Sequence, residues 1–389
     1  MIELFIAKKH IFERKKQSII AMLGILIGIT VLTVSLAISN GLNNNMINSV
    51  LSISPHILVG TGGNRIDAYA EKINNLEGIE GLKGIVPKYT SQGILKAYTD
   101  FGVYQLGVQI DGMDLERAKK AMNLESYLIA GEIKPTTYNE VLIGSEMVEQ
   151  LGLKLGDTVE LTSAENKKMR LKVGGIFRTG FISYDSALVI MPLKTAQIIS
   201  EVGDVASSLD IILNNPYDAN ILRAQVRRAV KDLRVQTWGD INSNLLRALA
   251  LEKTVMIVLF SLIIVIAGFV IGVVLNTMVR EKTKDIGILR SMGYSRNNIM
   301  RIFIIEGLIL GGTGIILGML SSFSILSLLK LGLFDKLTEI YYLTSIPVRI
   351  SSIEVIFIII ATLSVVLVSS IFPAYRGSKL TPVEALKYE

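Results

Sequence analysis

Two acids, Asp185 and Glu146, are the side chains in this 389-residue sequence that would serve best as a general acid–base pair, and His10 and His56 are its only imidazoles. Proton transfer by paired carboxylates needs a cleft that pushes their pKa values apart. The acids here are scattered as on a solvated surface, so both are expected in exposed structural roles. The histidines stand in unrelated contexts. With no Cys in the chain, neither a thiolate zinc site nor a thiol nucleophile nor a disulfide can form. The sequence also lacks a Gly-x-Ser-x-Gly elbow, a His-Glu-x-x-His helix and a Gly-x-x-x-x-Gly-Lys-Ser/Thr phosphate loop. A chain so built is expected to catalyse nothing alone and to hold no metal or nucleotide, so a partner must supply any work.

The informative spacing is mechanical. In VREKTKDIGILRSMGYSRNNIMR (279–301), Ile286, Leu289 and Met292 recur every three residues, while Lys282, Asp285 and Arg290 fall off that stripe. Gly293 is placed to end this helix, and Ser295 to cap the next. The stripe would suit lipid headgroups or a groove on a cytoplasmic partner, and spacing alone favours neither.

The elements that must hold this helix are oily. Half of all residues are apolar and 19% are charged, too little charge for an ordinary soluble chain. The excess falls in four blocks, 19–38, 254–275, 302–329 and 355–372, each long enough at 1.5 Å per residue to approach or cross a hydrocarbon core of about 30 Å. A cleaved signal peptide would need a shorter first block. The one acid within them, Glu306, is expected to reach water at the cytoplasmic face. Lys8, Lys9, Arg14, Lys15 and Lys16, the basic residues of 279–301, and Arg376, Lys379 and Lys387 flank the spans on one side. By the positive-inside tendency both termini are cytoplasmic and the 41–250 domain, with 22 basic and 23 acidic residues, stands outside. Charge that marks topology argues against a nucleic-acid partner.

The expected organisation is therefore an interfacial helix (1–17, with Ile2, Phe5, Ile6 and Phe12 to one side), a first transmembrane helix (18–40), an extracytoplasmic α+β domain (41–250), a second span (251–276), a cytoplasmic loop (277–301), a third span (302–329), an outer loop (330–352), a fourth span (353–373) and a tail (374–389). The fold class is an α-helical membrane protein with four transmembrane helices and a large α+β extracytoplasmic domain. Helical patterns run out of the first span toward Pro55 and into the second from Asn242, as two stalks. Within the domain, alternation predicts strands at 93–98, 103–110, 158–162, 170–177 and 187–191 and helices at 145–151 and 220–233. Trp238, the single tryptophan, is expected as a packing anchor. Glycines four apart, Gly24 and Gly28, Gly268 and Gly272, Gly307 and Gly311, Gly314 and Gly318, let helices pack backbone to backbone and point to intramembrane association, and because four helices alone enclose little a dimer or pseudo-dimer is expected. Broken-helix inverted repeats of ion-coupled carriers are absent.

Four segments, EKTKDIGILRSMGYS (281–295), FPAYRGSKLTPVEALKYE (372–389), TWGDINSNLLRALALEK (237–253) and VLIGSEMVEQLGLKLGDTVEL (141–161), resemble the FtsX-like ABC permeases, most of all the lipoprotein-releasing LolC/LolE type. The resemblance implies a MacB-like periplasmic core domain, an inner-membrane location, a second permease (homodimer or heterodimer), and a cytoplasmic ATPase dimer that binds ATP and Mg. It implies that Glu281, Lys282, Asp285, Ile286, Leu289, Arg290, Met292 and Gly293 form a coupling helix docked on that ATPase, and that lipoprotein acyl chains enter near Asn40, Leu42, Met46, Leu249, Met256 and Phe260. In LolC relatives a long hairpin captures a periplasmic lipoprotein carrier. Here only 163–168 stands at that place, which looks too short for the hook. The implied function is lipoprotein extraction by a mechanotransmission-type transporter; a MacB-like peptide or drug exporter and an FtsX-like regulator of cell-wall hydrolases are the alternatives. The domain's size disfavours the regulator, and the missing fused ATPase disfavours MacB.

Overall fold

The computed structural model describes residues 2–62, 65–99, 102–134, 137–331 and 347–382. Parts of the expected outer loop (332–346) and of the tail (383–389, with Lys387) lie outside the described residues. The chain divides into two compact units, Met1–Asn44 with Ala248–Glu389, and Asn45–Arg247.

The chain begins with α1 (Ile2–Glu13) and α2 (Lys15–Leu51). Strands and short helices follow: β1 (Ile57–Gly60), α3 (Tyr69–Leu76), β2 (Leu82–Thr99), β3 (Gly102–Met113), α4 (Leu115–Met122), β4 (Leu128–Gly131), β5 (Glu140–Gly144), α5 (Ser145–Leu151), β6 (Thr158–Ser163), β7 (Lys168–Phe177), α6 (Ile182–Ala187), β8 (Leu188–Pro192), α7 (Leu193–Ile199), β9 (Ser208–Leu213), α8 (Ala219–Ala229), β10 (Arg234–Thr237) and α9 (Trp238–Ile241). Then come α10 (Ser243–Glu281), α11 (Thr283–Ser291), α12 (Arg296–Lys330) and α13 (Ser352–Lys379).

In the helical unit, α2, α10, α12 and α13 are long and apolar enough to cross a membrane. Their core joins Ile25, Ile29 and Leu32 of α2, Ile271 and Leu275 of α10, Leu310 and Ile315 of α12 and Val366 of α13. The paired glycines sit where these helices meet. Gly24 and Gly28 face Val270 and Ile263, Gly268 and Gly272 face Val365 and Ser369, Gly307 and Gly311 face Ser370 and Val366, and Gly314 and Gly318 face Ile25 and Ile29. A Cβ at Gly318 would lie 2.7 Å from that of Ile29. All eight are thus used within this chain. The small-residue spacing serves helix contacts inside the chain.

The sheet unit is a ten-stranded sheet among the described residues, in the order β10-β1-β9-β2-β3-β8-β5-β7-β4, with β6 bridging β2 and β7. The 18-residue β2 is its spine, pairing with β3, β6 and β9. The five expected strands are present, and β2 begins eleven residues earlier than expected. Strands β1, β4, β5, β9 and β10 are not among those that alternation predicts. In β9 every residue is buried, so the strand has no solvent face to produce a period of two. Asp185 and Glu146 are also buried, against the expectation of exposed acids. Asp185 accepts from Thr179 N (2.8 Å), Thr179 Oγ1 (2.9 Å) and Gly180 N (3.0 Å), which uses its oxygens to hold a turn. Trp238 anchors its helix as expected, donating from Nε1 to Pro216 O at 3.0 Å with its ring edge-on to Tyr217. Strands β6 and β7 join through four residues only, with Asn166 in the left-handed region at φ 62°.

Candidate functional site

The helical unit offers two sites, one at each end of its long helices. At the end bearing the 279–301 loop, α11 closes with a Schellman motif: Tyr294 N donates to Leu289 O and Gly293 N to Arg290 O, with Gly293 at φ 97°. Ser295 then caps α12 by accepting from Asn298 N. Arg290 braces the turn by donating from Nη1 to Tyr294 O at 3.0 Å.

Three-residue spacing does not keep the expected stripe on one face, because each step of three turns only 300° around a helix. Ile286 and Met292 therefore point 120° apart. Ile286 is buried with Val279, Ile299, Ile302 and Phe303, and Leu289 packs against the same cluster. These two residues hold α11 to its own bundle, a correction to their reading as ATPase-facing. The exposed face carries Lys284, Asp285, Ile288 and Met292. Ile288 and Lys284 were missed, although a 100° helical wheel would have found them.

Glu281 and Lys282 are engaged as well. Glu281 pairs with Arg14 Nε at 3.1 Å and accepts from Gln17 Nε2 at 3.1 Å. The Lys282 ammonium donates to Asp285 at 2.9 Å and to Glu13 at the C-terminal end of α1. Burial pushes the Lys282 pKa down, but its bonds to Glu13 and Asp285 outweigh that and hold it above the usual lysine range. The same bond to Lys282 holds Glu13 below the usual carboxylate range. On α1, Ala7 is fully buried in the Ile286–Phe303 cluster, and His10 faces Glu306 with Nδ1 3.7 Å from Oε2. Glu306 is completely buried, which corrects the expectation that it reaches water: α1 covers it. Neither carboxylate oxygen, nor His10 Nδ1, has a hydrogen-bond partner among the described residues.

At the opposite end, the chain at 347–349 crosses α2. Arg349 N donates to Ala37 O at 2.9 Å, and Gly41 makes room for the Pro347 carbonyl, which a Cβ would strike. Asn40 donates to Glu354 at 2.5 Å, Lys253 pairs with Glu354 at 3.3 Å, and Ser39 donates to Glu252 at 2.7 Å. Below this polar rim a cleft of about 510 Å³ opens between α2, α10 and α13. Its wall is nearly all hydrocarbon: Leu32 and Leu36, then Ile257, Phe260, Ile264 and Val265, then Ile353, Phe357, Ile358, Ala361 and Val365. Of the residues expected around a substrate, Phe260 lines the cleft and Asn40 stands at its rim through Glu354. Leu249 and Met256 are half-buried on α10 outside the lining, Leu42 is exposed, and Met46 belongs to the sheet unit. Lys253 and Glu354 were missed because they lie a hundred residues apart.

Comparison with known proteins matches residues 18–229 to the MacB-like periplasmic core domain and residues 257–382 to the FtsX-like permease C-terminal family. The lipoprotein-releasing system transmembrane protein LolC of Xylella fastidiosa strain Temecula1 is 28% identical over 96% of this chain and 94% of its own. LolE of Haemophilus influenzae strain Rd is 25% identical, covering 98% of both chains. Among solved structures, the periplasmic region of MacB from Actinobacillus actinomycetemcomitans covers 51% of this chain and 97% of its own, at 14% identity and a TM-score of 0.36. With both halves matched in the order its own segments predicted, the chain belongs to the FtsX-like ABC permease family, carrying a MacB-like periplasmic core domain and having relatives of the lipoprotein-release type.

Proposed function

We propose that this chain is a four-span inner-membrane permease subunit that extracts lipoproteins from the outer leaflet, using ATP hydrolysed by a separate cytoplasmic ATPase dimer. The observation that carries the reading is the apolar cleft with a charged rim between α2, α10 and α13. At about 510 Å³ it falls within the roughly 300–1,000 Å³ range of small-molecule sites. Its lining suits an acyl chain, and Lys253, Glu354 and Asn40 suit the polar end of the same lipid. Full-length likeness to LolC and LolE supports a lipidated protein as the cargo and a second permease as the partner. The four-residue β6–β7 connection favours a LolE-like role, or a hand-off that uses no hook.

Driving force would enter through Ile288, Met292, Lys284 and Asp285, the exposed face of α11, with Glu281, Lys282, Ile286, Leu289, Arg290 and Gly293 giving that helix its shape and seat. The two helices α2 and α10 would carry the motion outward. The exposed side of α1, with Ile2, Phe5, Phe12, Lys8 and Lys9, would rest on headgroups of the inner leaflet.

A photo-crosslinking residue placed at Phe260, in cells making the chain with its ATPase, tests the cargo. Capture of lipidated protein that increases when hydrolysis is blocked is expected. Capture of unlipidated peptides, or co-purification of a cell-wall hydrolase activator without lipid, would overturn the reading in favour of an exporter or a regulator.

A further inference from the structure

The sheet unit is close to electrically neutral, yet one part of it is not. Arg223 and Arg227 of α8, Lys231 of the following turn, Arg234 of β10 and Arg247 of α10 converge on one polar cleft of about 510 Å³. A single acid, Asp240, shares it and pairs with Arg223 at 3.0 Å. Of these cations only Arg223 has an ion pair among the described residues, and the other four face the same cleft without one. Arg223 and Arg227 are four apart on one helix, a like-charge spacing that works against the helix.

The cations come from four separate elements, so the cluster is a product of the fold and not a basic run in the sequence. A scattered solvated surface would place acids between them. Guanidinium groups present paired N–H donors in a plane that matches phosphate oxygens, and several around one concavity favour a group with more than one negative charge. The apolar cleft of the helical unit has no such guanidinium cluster, so the two sites would take different ligands.

We propose that this cleft is a binding site for a multiply charged phosphate group, presented either by a lipid headgroup or by a soluble phosphate compound. The site is independent of the lipoprotein reading.

The test uses the full chain in nanodiscs, with pyrophosphate as the soluble probe and cardiolipin, which carries two phosphates, as the lipid probe. The exposed residues Arg227 and Arg247 are changed to Glu together. Arg223 is left intact because its pair with Asp240 holds local structure. Native chain in phosphatidylcholine discs that binds pyrophosphate, with affinity falling at least tenfold in the double variant and steeply with salt, identifies a soluble ligand. Cardiolipin retained by native chain and lost at least tenfold by the variant, without competition from pyrophosphate, identifies a headgroup. Trp238 fluorescence matching that of the native chain confirms that the variant is folded. If neither probe binds, or if both bind the folded variant as well as the native chain, the proposal fails. The same variant leaves lipid crosslinking at Phe260 unchanged, so failure here is distinguishable from failure of the proposed function.

Discussion

The two units bury charge in opposite ways. In the sheet, Lys88 of β2 lies 2.6 Å from Asp210 of β9 and 3.5 Å from Asp111 of β3. Asp111 also accepts from Thr90 and Gln109, and Asp210 from Ser208. Burial works against the Lys88 charge, but two carboxylates hold its pKa above the ordinary lysine range. Asp210, fully buried and sharing that one ammonium, is pushed up. In the helical unit Glu306 is just as buried, yet its oxygens meet only a histidine beyond hydrogen-bond distance. A joined network locks three strands in register, whereas an unjoined acid beneath α1 locks nothing. The sheet spends its buried charge on holding strands together, and the seam between α1 and α12 does not.

Breaking the sheet's network gives the largest expected effect. Lys88→Met leaves two carboxylates in the core without their cation, and loss of one partner of a buried pair typically costs about 3–5 kcal/mol. Denaturant unfolding followed by Trp238, the only tryptophan, should show a loss of this size. A loss below about 1 kcal/mol would mean that the triad is not a fixed strut.

Next in size is a pH effect in the same unit. Buried His56 accepts from Leu213 N at 2.9 Å through Nδ1, and burial lowers its pKa from 6.5 to about 4. Between those values the unfolded chain binds a proton that the folded one refuses, so stability falls as pH drops from about 6.5 toward 4. The lost stability is about 3 kcal/mol over that window. His56→Gln, which can still accept through its amide oxygen, should flatten the slope measured by the same fluorescence titration.

In the helical unit the outcome should reverse. Glu306→Leu removes a buried acid whose oxygens have no donor among the described residues, and a buried polar group left unsatisfied costs about 1–3 kcal/mol. A gain at the lower end, about 1 kcal/mol, is expected here because His10 loses its neighbour. Thermal unfolding in detergent checks this. A drop in stability comparable to that of Lys88→Met would erase the contrast between the units.

The sequence announces one side of this contrast better than the other. Long apolar blocks, glycines four apart, Gly293 and Ser295 declare the helices, their contacts and the ends of α11, because these depend on neighbours in sequence. Strands β6 and β7 alternate between buried and more exposed residues along most of their length. Strand β9 does not, and the Lys88 triad that crosses it needs residues 88, 111 and 210 brought together. Lys253 with Glu354, and Glu13 with Lys282, are likewise products of tertiary structure. The stripe Ile286, Leu289 and Met292 misleads for a different reason, since a spacing of three drifts around a helix that turns every 3.6 residues. The basic cleft was hidden by averaging, because 22 basic and 23 acidic residues in 41–250 conceal a local excess.

The smallest effect on stability, and the sharpest on motion, belongs to Glu13. Its bond to Lys282 lies at the surface, where ion pairs add little to folding, so Glu13→Gln should leave thermal unfolding unchanged. What it should change is the opening of α11, because Glu13 ties α1 to the residue that precedes that helix. Amide hydrogen exchange at 283–292 is expected to quicken in the variant at neutral pH, while exchange in β2 stays as it was. The native chain should show the same quickening only in acid. Glu13's pKa lies below the usual range, so the tie is complete above the unfolded value and is lost as pH falls through the folded one. Lys282, held above its usual range, keeps the tie on the alkaline side. Equal exchange in the native and variant chains at neutral pH would show that α1 covers Glu306 without restraining the loop, and the seam would then be passive cover and not a movable joint.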